Sequence, residues 1–292
     1  MVVLVVGGAG MLGHQLVRQL RQDGFTVLAT VRGPREAYVG LEQFLLPEAT
    51  VFGVDVTRPE RLSGVLDACR PQAVINCAGL VKQRREAADP AAAIELNALF
   101  PHRLAALCRR AGCRLLHFST DCVFSGRAGN YPDDALHDAV DLYGRSKSLG
   151  EVGGPGCLTL RTSIIGPELP GRHQGLLEWF LASAGTVPGY TRVVFSGLTT
   201  LAMSRLVARL LTHHPHASGV YNVSAAPIAK HDLLVLLRDA LNLPVAIRPD
   251  GALGCDRSLD SNRFRAAFDY TPPTWPAMVR ELADALRADG RC

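Results

Sequence analysis

"VVLVVGGAGMLG", Val2–Gly13, decides the fold. Five aliphatic residues with no polar neighbour read as a strand buried on both faces, as in a parallel sheet. The run passes directly into glycines and then into a helical pattern near 11–22. Gly7, Gly10 and Gly13 spell Gly-x-x-Gly-x-x-Gly, and Gly8 makes Gly-x-Gly-x-x-Gly available as well. Such glycines permit a tight turn, close approach of a pyrophosphate, and packing of a helix N-terminus against the strand. A glycine-rich turn placed between a clean strand and a clean helix predicts a dinucleotide site, with Gly7, Gly10, Met11, Leu12 and Gly13 against the cofactor.

Working outward, the same rhythm continues. Strands are expected at 2–6, 26–31, 50–54, 73–77, 114–118 and 157–161, with helices near 11–22, 58–69, 91–111 and 141–150. The third of these helices carries an apolar stripe of Ile94, Ala98, Leu104, Ala105 and Leu107. This alternation predicts an α/β fold with a doubly wound parallel sheet. After about residue 165 the rhythm breaks into the loop "GPELPGRHQG" and a short helix at 176–184 that contains Trp179. A strand near 193–195 and a helix near 200–212 read as a return to the sheet. Strands at 220–223 and 245–248 and helices at 230–240 and 275–288 complete the chain. The expected organisation is a Rossmann domain over 1–165 with a return segment near 193–219. Residues 166–192 and 220–292 are expected to form a smaller, discontinuous α/β substrate domain.

The end of the second strand selects the cofactor. A site for NAD calls for an acidic residue there, whereas a site for NADP calls for a cation facing the 2′-phosphate. "ATVRG" (29–33) offers Arg32 and no carboxylate, which favours NADP(H). Asp55 and Val56, at the end of the third strand, are placed at the adenine. Cys77, Ala78 and Gly79, after the fourth strand, let the backbone lie along the cofactor, and Asn97 is grouped with them.

Composition excludes other classes. In 292 residues, 48% are hydrophobic and 20% charged, which describes a globular protein and argues against disorder. The net charge of +4 is spread along the chain, and its densest basic cluster, "KQRRE" at 82–86, reads as a solvated loop. No nucleic-acid partner is therefore expected. The eight cysteines form no Cys-x-x-Cys pair and read as free thiols of a reducing compartment. "HHPH" at 213–216 reads as a surface turn, and no metal site is expected. The apolar start lacks a basic n-region, and no run reaches membrane-spanning length, so a cytoplasmic protein without membrane contact is expected.

"DLYGRSKSLGE" (141–151) places Tyr143 and Lys147 four residues apart, on one face of a helix. The lysine ammonium is expected to depress the tyrosine pKa and make Tyr143 a proton donor near neutrality. "STDCVFSG" (119–126) ends the fifth strand, and "LTLRTSIIG" (158–166) lies on the sixth. In this order the motifs resemble the extended short-chain dehydrogenase/reductase superfamily, and within it the dTDP-4-dehydrorhamnose reductase branch. The likeness is dense over 1–166 and recurs at "RSLDSNRF" and "TPPTW".

The resemblance implies a catalytic set of Thr120, Tyr143 and Lys147. Tyr143 would protonate a ketone oxygen, Thr120 would hydrogen-bond the same oxygen, and Lys147 would hold the nicotinamide ribose. It also implies a nucleotide-sugar substrate, with Asp121, Cys122, Trp179, Arg192 and Arg257 as contacts, and admits a homodimer. Three departures stand out. Cys122 replaces the branch's tyrosine, no proline shortly precedes Tyr143, and "GCDRSLD" replaces an Arg-Pro before Ser-x-Leu-Asp. The expected activity is NADPH-dependent reduction of the 4-keto group of a nucleotide-linked 6-deoxy sugar. The alternatives are an epimerase or 4,6-dehydratase of the same superfamily, or a non-catalytic NADP-binding regulatory subunit.

Overall fold

A computed structural model describes residues 1–82, 88–171 and 175–291. Most of the basic cluster at 82–86, three residues of the loop at 166–175 and Cys292 lie outside the described residues. In chain order the strands are β1 (Val2–Val6), β2 (Thr26–Thr30), β3 (Thr50–Val51), β4 (Ala73–Asn76), β5 (Arg114–Thr120), β6 (Cys157–Thr162), β7 (Ile164–Ile165), β8 (Gly185–Phe195), β9 (Leu198–Thr199), β10 (Gly219–Asn222), β11 (Ile228–Ala229) and β12 (Val245–Asp256). Seven of them form one sheet in the order β10-β6-β5-β4-β1-β2-β3, with every neighbouring pair parallel. The order reverses between β1 and β4, and in such sheets ligands bind outside the carboxyl ends at that reversal.

The unbroken apolar runs have the expected cause. Val3 and Val5 of β1 face one hydrophobic cluster, while Leu4 and Val6 face another, and all four are fully buried. The first cluster takes in Leu16 and Leu20 of α1 (Met11–Gln22), with further helices from the second half of the chain; the second includes Leu62 and Leu66 of α2 (Pro59–Cys69). The expected long helix near 91–111 is three pieces: α3 (Pro90–Ala93), a π-helical stretch Ile94–Leu99, and α4 (Phe100–Ala111). The wider π turn shifts the helical phase. Leu104, Ala105 and Leu107 are buried as expected, whereas Ile94, on the other side of the shift, is 49% exposed.

The remaining helices are α5 (Leu142–Leu149), α6 (Leu176–Leu181), α7 (Thr200–His213), α8 (Lys230–Leu241), α9 (Asn262–Phe268) and α10 (Trp275–Ala288). Among the described residues, no helix is long and apolar enough to cross a membrane.

Two strand readings need correction. The segment near 193–195 does not rejoin the main sheet; it is the end of β8, which lies between β11 and β12 in a second sheet. The strand at 219–222, expected in the smaller unit, pairs with β6 as the seventh strand of the main sheet. The glycines and prolines of "GTVPGY" and "RPDGALG" sit in a half-exposed parallel ribbon of β8 and β12, longer than the strands expected at 193–195 and 245–248. Such residues weaken a strand pattern without excluding it at a sheet edge. The expected third strand stops at Val51, because Gly53 takes φ +69° and turns the chain away.

Crowding around the first turn yields a stability prediction. A Cβ on Gly13 would overlap the Gly7 carbonyl oxygen, whereas a Cβ on Gly64, inside α2, meets nothing within 4 Å. Gly13→Ala should destabilise the fold by about 1–3 kcal/mol. Gly64→Ala should stabilise it by about 0.5–1 kcal/mol. Denaturant melts of the two variants check the opposite signs.

Candidate active site

A cleft of ≈ 460 Å³ opens where β4, β5 and β6 end beside the turn that follows β1. Gly10, Met11 and Leu12 line it from the turn, residues 76–82 from the segment after β4, and residues 118–122 from the end of β5. Across from them stand Val193, Val194 and Phe195 of β8, Lys230 at the start of α8, and Cys255 and Arg257 at the end of β12.

The turn itself has no room for side chains. Gly7 (φ +85°) lies so close to the segment after β4 that its Cβ would sit 2.9 Å from the Ala78 amide nitrogen. The Gly7 and Gly8 amides both donate to the Thr30 carbonyl of β2, at 3.2 and 2.9 Å. Gly10 then caps α1 through its backbone alone, which leaves the first amides of the helix facing the cleft. This is a cradle for a dinucleotide pyrophosphate, so the residues present fit a nicotinamide dinucleotide.

Around it, Cys77, Ala78, Gly79 and Asn97 line the cleft, while Gly7 and Gly13 lie beneath it. Asn97, in the π-helical stretch, accepts from the Leu80 amide (2.9 Å) and donates to the Leu80 carbonyl (3.1 Å) and to Ser146 Oγ (3.2 Å). It thereby ties the segment after β4 to α5. Arg32 is exposed just beyond β2. Hydrogen bonds from the Thr57 amide and hydroxyl hold the Asp55 carboxyl below the usual range against its burial, with smaller help from the charges of Arg58 and Arg32. Val56 and Ala78 are both partly buried against the second core cluster.

Thr120, Tyr143 and Lys147 all line the cleft. Thr120 ends β5; its Oγ1 accepts from the Cys122 amide (3.1 Å) and donates to Asp121 Oδ1 (3.2 Å). Tyr143 sits in the first turn of α5, which Asp141 caps by accepting from the Gly144 amide (2.8 Å). Gly144 is fixed by space, since a Cβ there would overlap the Cys122 carbonyl. One turn on, Lys147 is buried and its Nζ donates to the Phe118 carbonyl (2.6 Å).

The electrostatics differ from the expected depression of the tyrosine pKa. Burial first, then the Cys122 thiol and the Asp121 and Asp141 carboxylates, push Tyr143 above the ordinary phenol value, and only the Thr120 hydrogen bond opposes them. Lys147 does not lower it because its ammonium is turned to the backbone of β5. Tyr143 is therefore a neutral O–H donor across the whole physiological range. Lys147 itself is pushed down to about 8 by burial, against the raising effect of Glu151.

Of the remaining expected contacts, Asp121, Cys122 and Arg257 line the cleft. Burial pushes the Cys122 thiol up to about 12, so it is a neutral thiol beside Tyr143. Arg257 Nε donates to the Phe124 carbonyl (2.8 Å). Trp179, 42% exposed, and Arg192, an exposed residue of β8, are not among the lining residues. Lys230, Phe195 and Cys255 line the cleft without having been expected. They come from distant segments that converge only in the fold, and no local motif marks them. Among the described residues, no cluster of His, Cys, Asp or Glu could hold a metal ion.

Comparison with known proteins agrees with this geometry. Residues 1–168 match the family model described as the RmlD substrate binding domain. A dTDP-4-dehydrorhamnose reductase from Streptomyces griseus is 32% identical over 307 residues, covering 97% of this chain and 93% of the relative. A dTDP-4-keto-6-deoxy-D-glucose reductase from Streptomyces niveus is 34% identical over 149 residues, covering 51% of this chain and 45% of the relative; the chain thus spans less than half the length of that protein. Among solved structures, a dTDP-4-dehydrorhamnose reductase from Bacillus anthracis in complex with NADP superimposes with a TM-score of 0.79 at 18% identity, covering 97% of this chain and 99% of that one. At that identity the likeness shows the fold.

The lowered lysine pKa can be measured directly. The chain has three lysines, Lys82, Lys147 and Lys230, so selective ¹³C labelling of the lysine ε-carbons gives a simple spectrum. One resonance, lost in Lys147→Arg, should titrate with a midpoint of about 8. The ammonium is present below that pH and lost above it. A midpoint at the ordinary lysine value of about 10.4 would contradict the burial of the amine.

Proposed function

The chain belongs to the RmlD substrate-binding-domain family, and from that premise we propose that it is an NADPH-dependent ketoreductase acting on the 4-keto group of a nucleotide-linked 6-deoxy sugar. The observation that carries this reading is the convergence of Thr120, Tyr143 and Lys147 in one cleft beside the glycine cradle. Its relatives' names supply the substrate class: one is a dTDP-4-dehydrorhamnose reductase and another a dTDP-4-keto-6-deoxy-D-glucose reductase.

Bound NADPH would supply the hydride for the ketone carbon. Tyr143, held neutral by burial, would give its proton to the ketone oxygen as the carbon is reduced. Thr120, which lines the cleft with Tyr143, would hydrogen-bond the same oxygen and fix its position. Lys147 would present its ammonium to the nicotinamide ribose from below. Lys230 and Arg257, on the opposite wall, would bring positive charge to the substrate's diphosphate. After the Thr120–Asp121 pair the chain has Cys122, a neutral thiol, where the resemblance implies a Glu in a 4,6-dehydratase, so that carboxylate is missing. This favours simple ketone reduction over that alternative.

Two measurements test the reading. Tyr143→Phe removes one hydroxyl at nearly constant volume. It should therefore keep the fold and NADPH affinity yet lose about 10²–10⁴ in kcat for oxidation of NADPH by dTDP-4-keto-6-deoxy sugars, the usual worth of general acid catalysis. Wild-type kcat in a well-folded Tyr143→Phe protein would remove Tyr143 from the chemistry.

Arg32 is exposed just beyond β2, the strand end at which an NADP site calls for a cation, and no carboxylate occupies residues 29–33. Wild type should prefer NADPH over NADH in kcat/KM, and Arg32→Ala should lose about ten- to hundredfold of that preference, the worth of a charge-assisted contact. Equal use of both cofactors by the wild type would contradict the assignment.

A further inference from the structure

Glu151, the last residue of "DLYGRSKSLGE", has no part in the chemistry above, yet it is held more firmly than any group that does. It follows α5 directly and lies one helical turn beyond Lys147. Its Oε1 accepts from Ser119 Oγ (2.6 Å) and from Arg161 Nε (2.8 Å), and its Oε2 accepts from Arg161 Nη2 (2.8 Å). The Glu151 and Arg161 side chains are 8% and 7% exposed. Arg161, on β6, is fixed in turn: its Nη1 donates to the Asp133 carbonyl (2.7 Å).

A buried ion pair is weak evidence for stability, because desolvation of the two charges offsets most of their attraction. Its position suggests another role. Ser119 is the residue between Phe118, whose carbonyl receives Lys147 Nζ, and Thr120, which lines the cleft with Tyr143. The end of β5 is therefore tied to α5 at two adjacent points, by Lys147 on Phe118 and by Glu151 on Ser119. Lys147 also lies in Glu151's field: the carboxylate is the leading influence that raises the amine's pKa against burial.

We propose that Glu151 is a positioning residue for the reaction: clamped by Arg161 and Ser119, it sets the catalytic helix against the strand that carries Thr120 and provides the counter-charge for the buried Lys147 ammonium. The proposal rests on the roles given above to Tyr143 and Lys147. The groups facing Lys147 are the Phe118 carbonyl and the His117 ring from β5, the Cys77 thiol from the segment after β4, and Glu151. Burial keeps His117 well below its ordinary value and Cys77 well above, so both are neutral. Glu151 is thus the full negative charge among them. Around Glu151 itself stand Arg161 from β6, Ser119 from β5 and His137 at 3.8 Å from the loop before α5.

The test is the ¹³Cε titration of Lys147 in protein without cofactor, compared among wild type, Glu151→Gln and Glu151→Asp. Glu151→Gln removes the charge, so the Lys147 midpoint should fall by about half a unit or more, while Glu151→Asp keeps the charge and should stay near the wild-type value. A midpoint unchanged in Glu151→Gln would overturn the proposal, as would an equal fall in both variants, which would mark a loss of packing only. Should Glu151→Gln fail to fold, the Glu151→Gln/Arg161→Met double variant, which leaves no lone buried charge, is read in the same way. In steady state, Glu151→Gln should lower kcat about tenfold at pH 7 with little change in KM for NADPH, the pattern of disturbed positioning. A wild type that does not oxidise NADPH would fail the ketoreductase reading, whereas an active wild type with an unmoved Glu151→Gln midpoint fails this one alone.

Discussion

At Gly7, Gly8 and Gly13 the backbone around the turn after β1 leaves no space for a side chain, and the rest of the site depends on that. Gly7 lies against the backbone at Ala78, Gly8 against Ala29, and Gly13 against the Gly7 carbonyl. The first two contacts draw the amino end of α1 to the place where the sheet order reverses between β1 and β4. In doubly wound sheets the crevice forms at that reversal, and here it also receives the ends of β5 and β6. A turn with Cβ atoms would push α1 outward, away from the strands that carry the acid–base groups.

On this frame the chemistry is arranged by burial more than by pairs of charges. The same burial holds Tyr143 protonated and brings Lys147 down to about 8. The two residues share a helix face, yet they do different work. The tyrosine shares the cleft with Thr120, while the lysine is fastened to the β5 backbone at Phe118. Asp141 at one end of α5 and Glu151 beyond the other hold the helix at both ends. A polar eight-residue helix without such anchors would have little apolar surface to hold it in place.

The nucleotide-binding half was legible in the sequence because its signals are local. A continuous apolar strand, a glycine turn and a helix follow one another without gaps, and all six expected strands of the first half exist, although the third is cut short at Val51. The Thr120, Tyr143 and Lys147 set came from the resemblance of three ordered motifs, and the structure brings all three side chains to one cleft. The opposite wall was not. Apart from Arg257, which was expected, its residues Val193–Phe195, Lys230 and Cys255 come from segments brought together by β8, β11 and β12, whose glycines and prolines conceal the strand period. The pKa of Tyr143 was read with the wrong sign because helical spacing tells which residues share a face. It does not tell where a long flexible lysine places its nitrogen.

The central claim is that this cleft passes a hydride to a sugar ketone while Tyr143 supplies the proton. Its most direct measurement follows the hydrogen itself: turnover of a dTDP-4-keto-6-deoxy sugar with NADPH deuterated at the transferable position, with the product analysed by mass spectrometry and proton NMR. The account predicts one deuterium per product molecule, bound to carbon 4 of the sugar, and stoichiometric NADP⁺. Product without deuterium at that carbon, or no product while the protein binds NADPH normally, would contradict it.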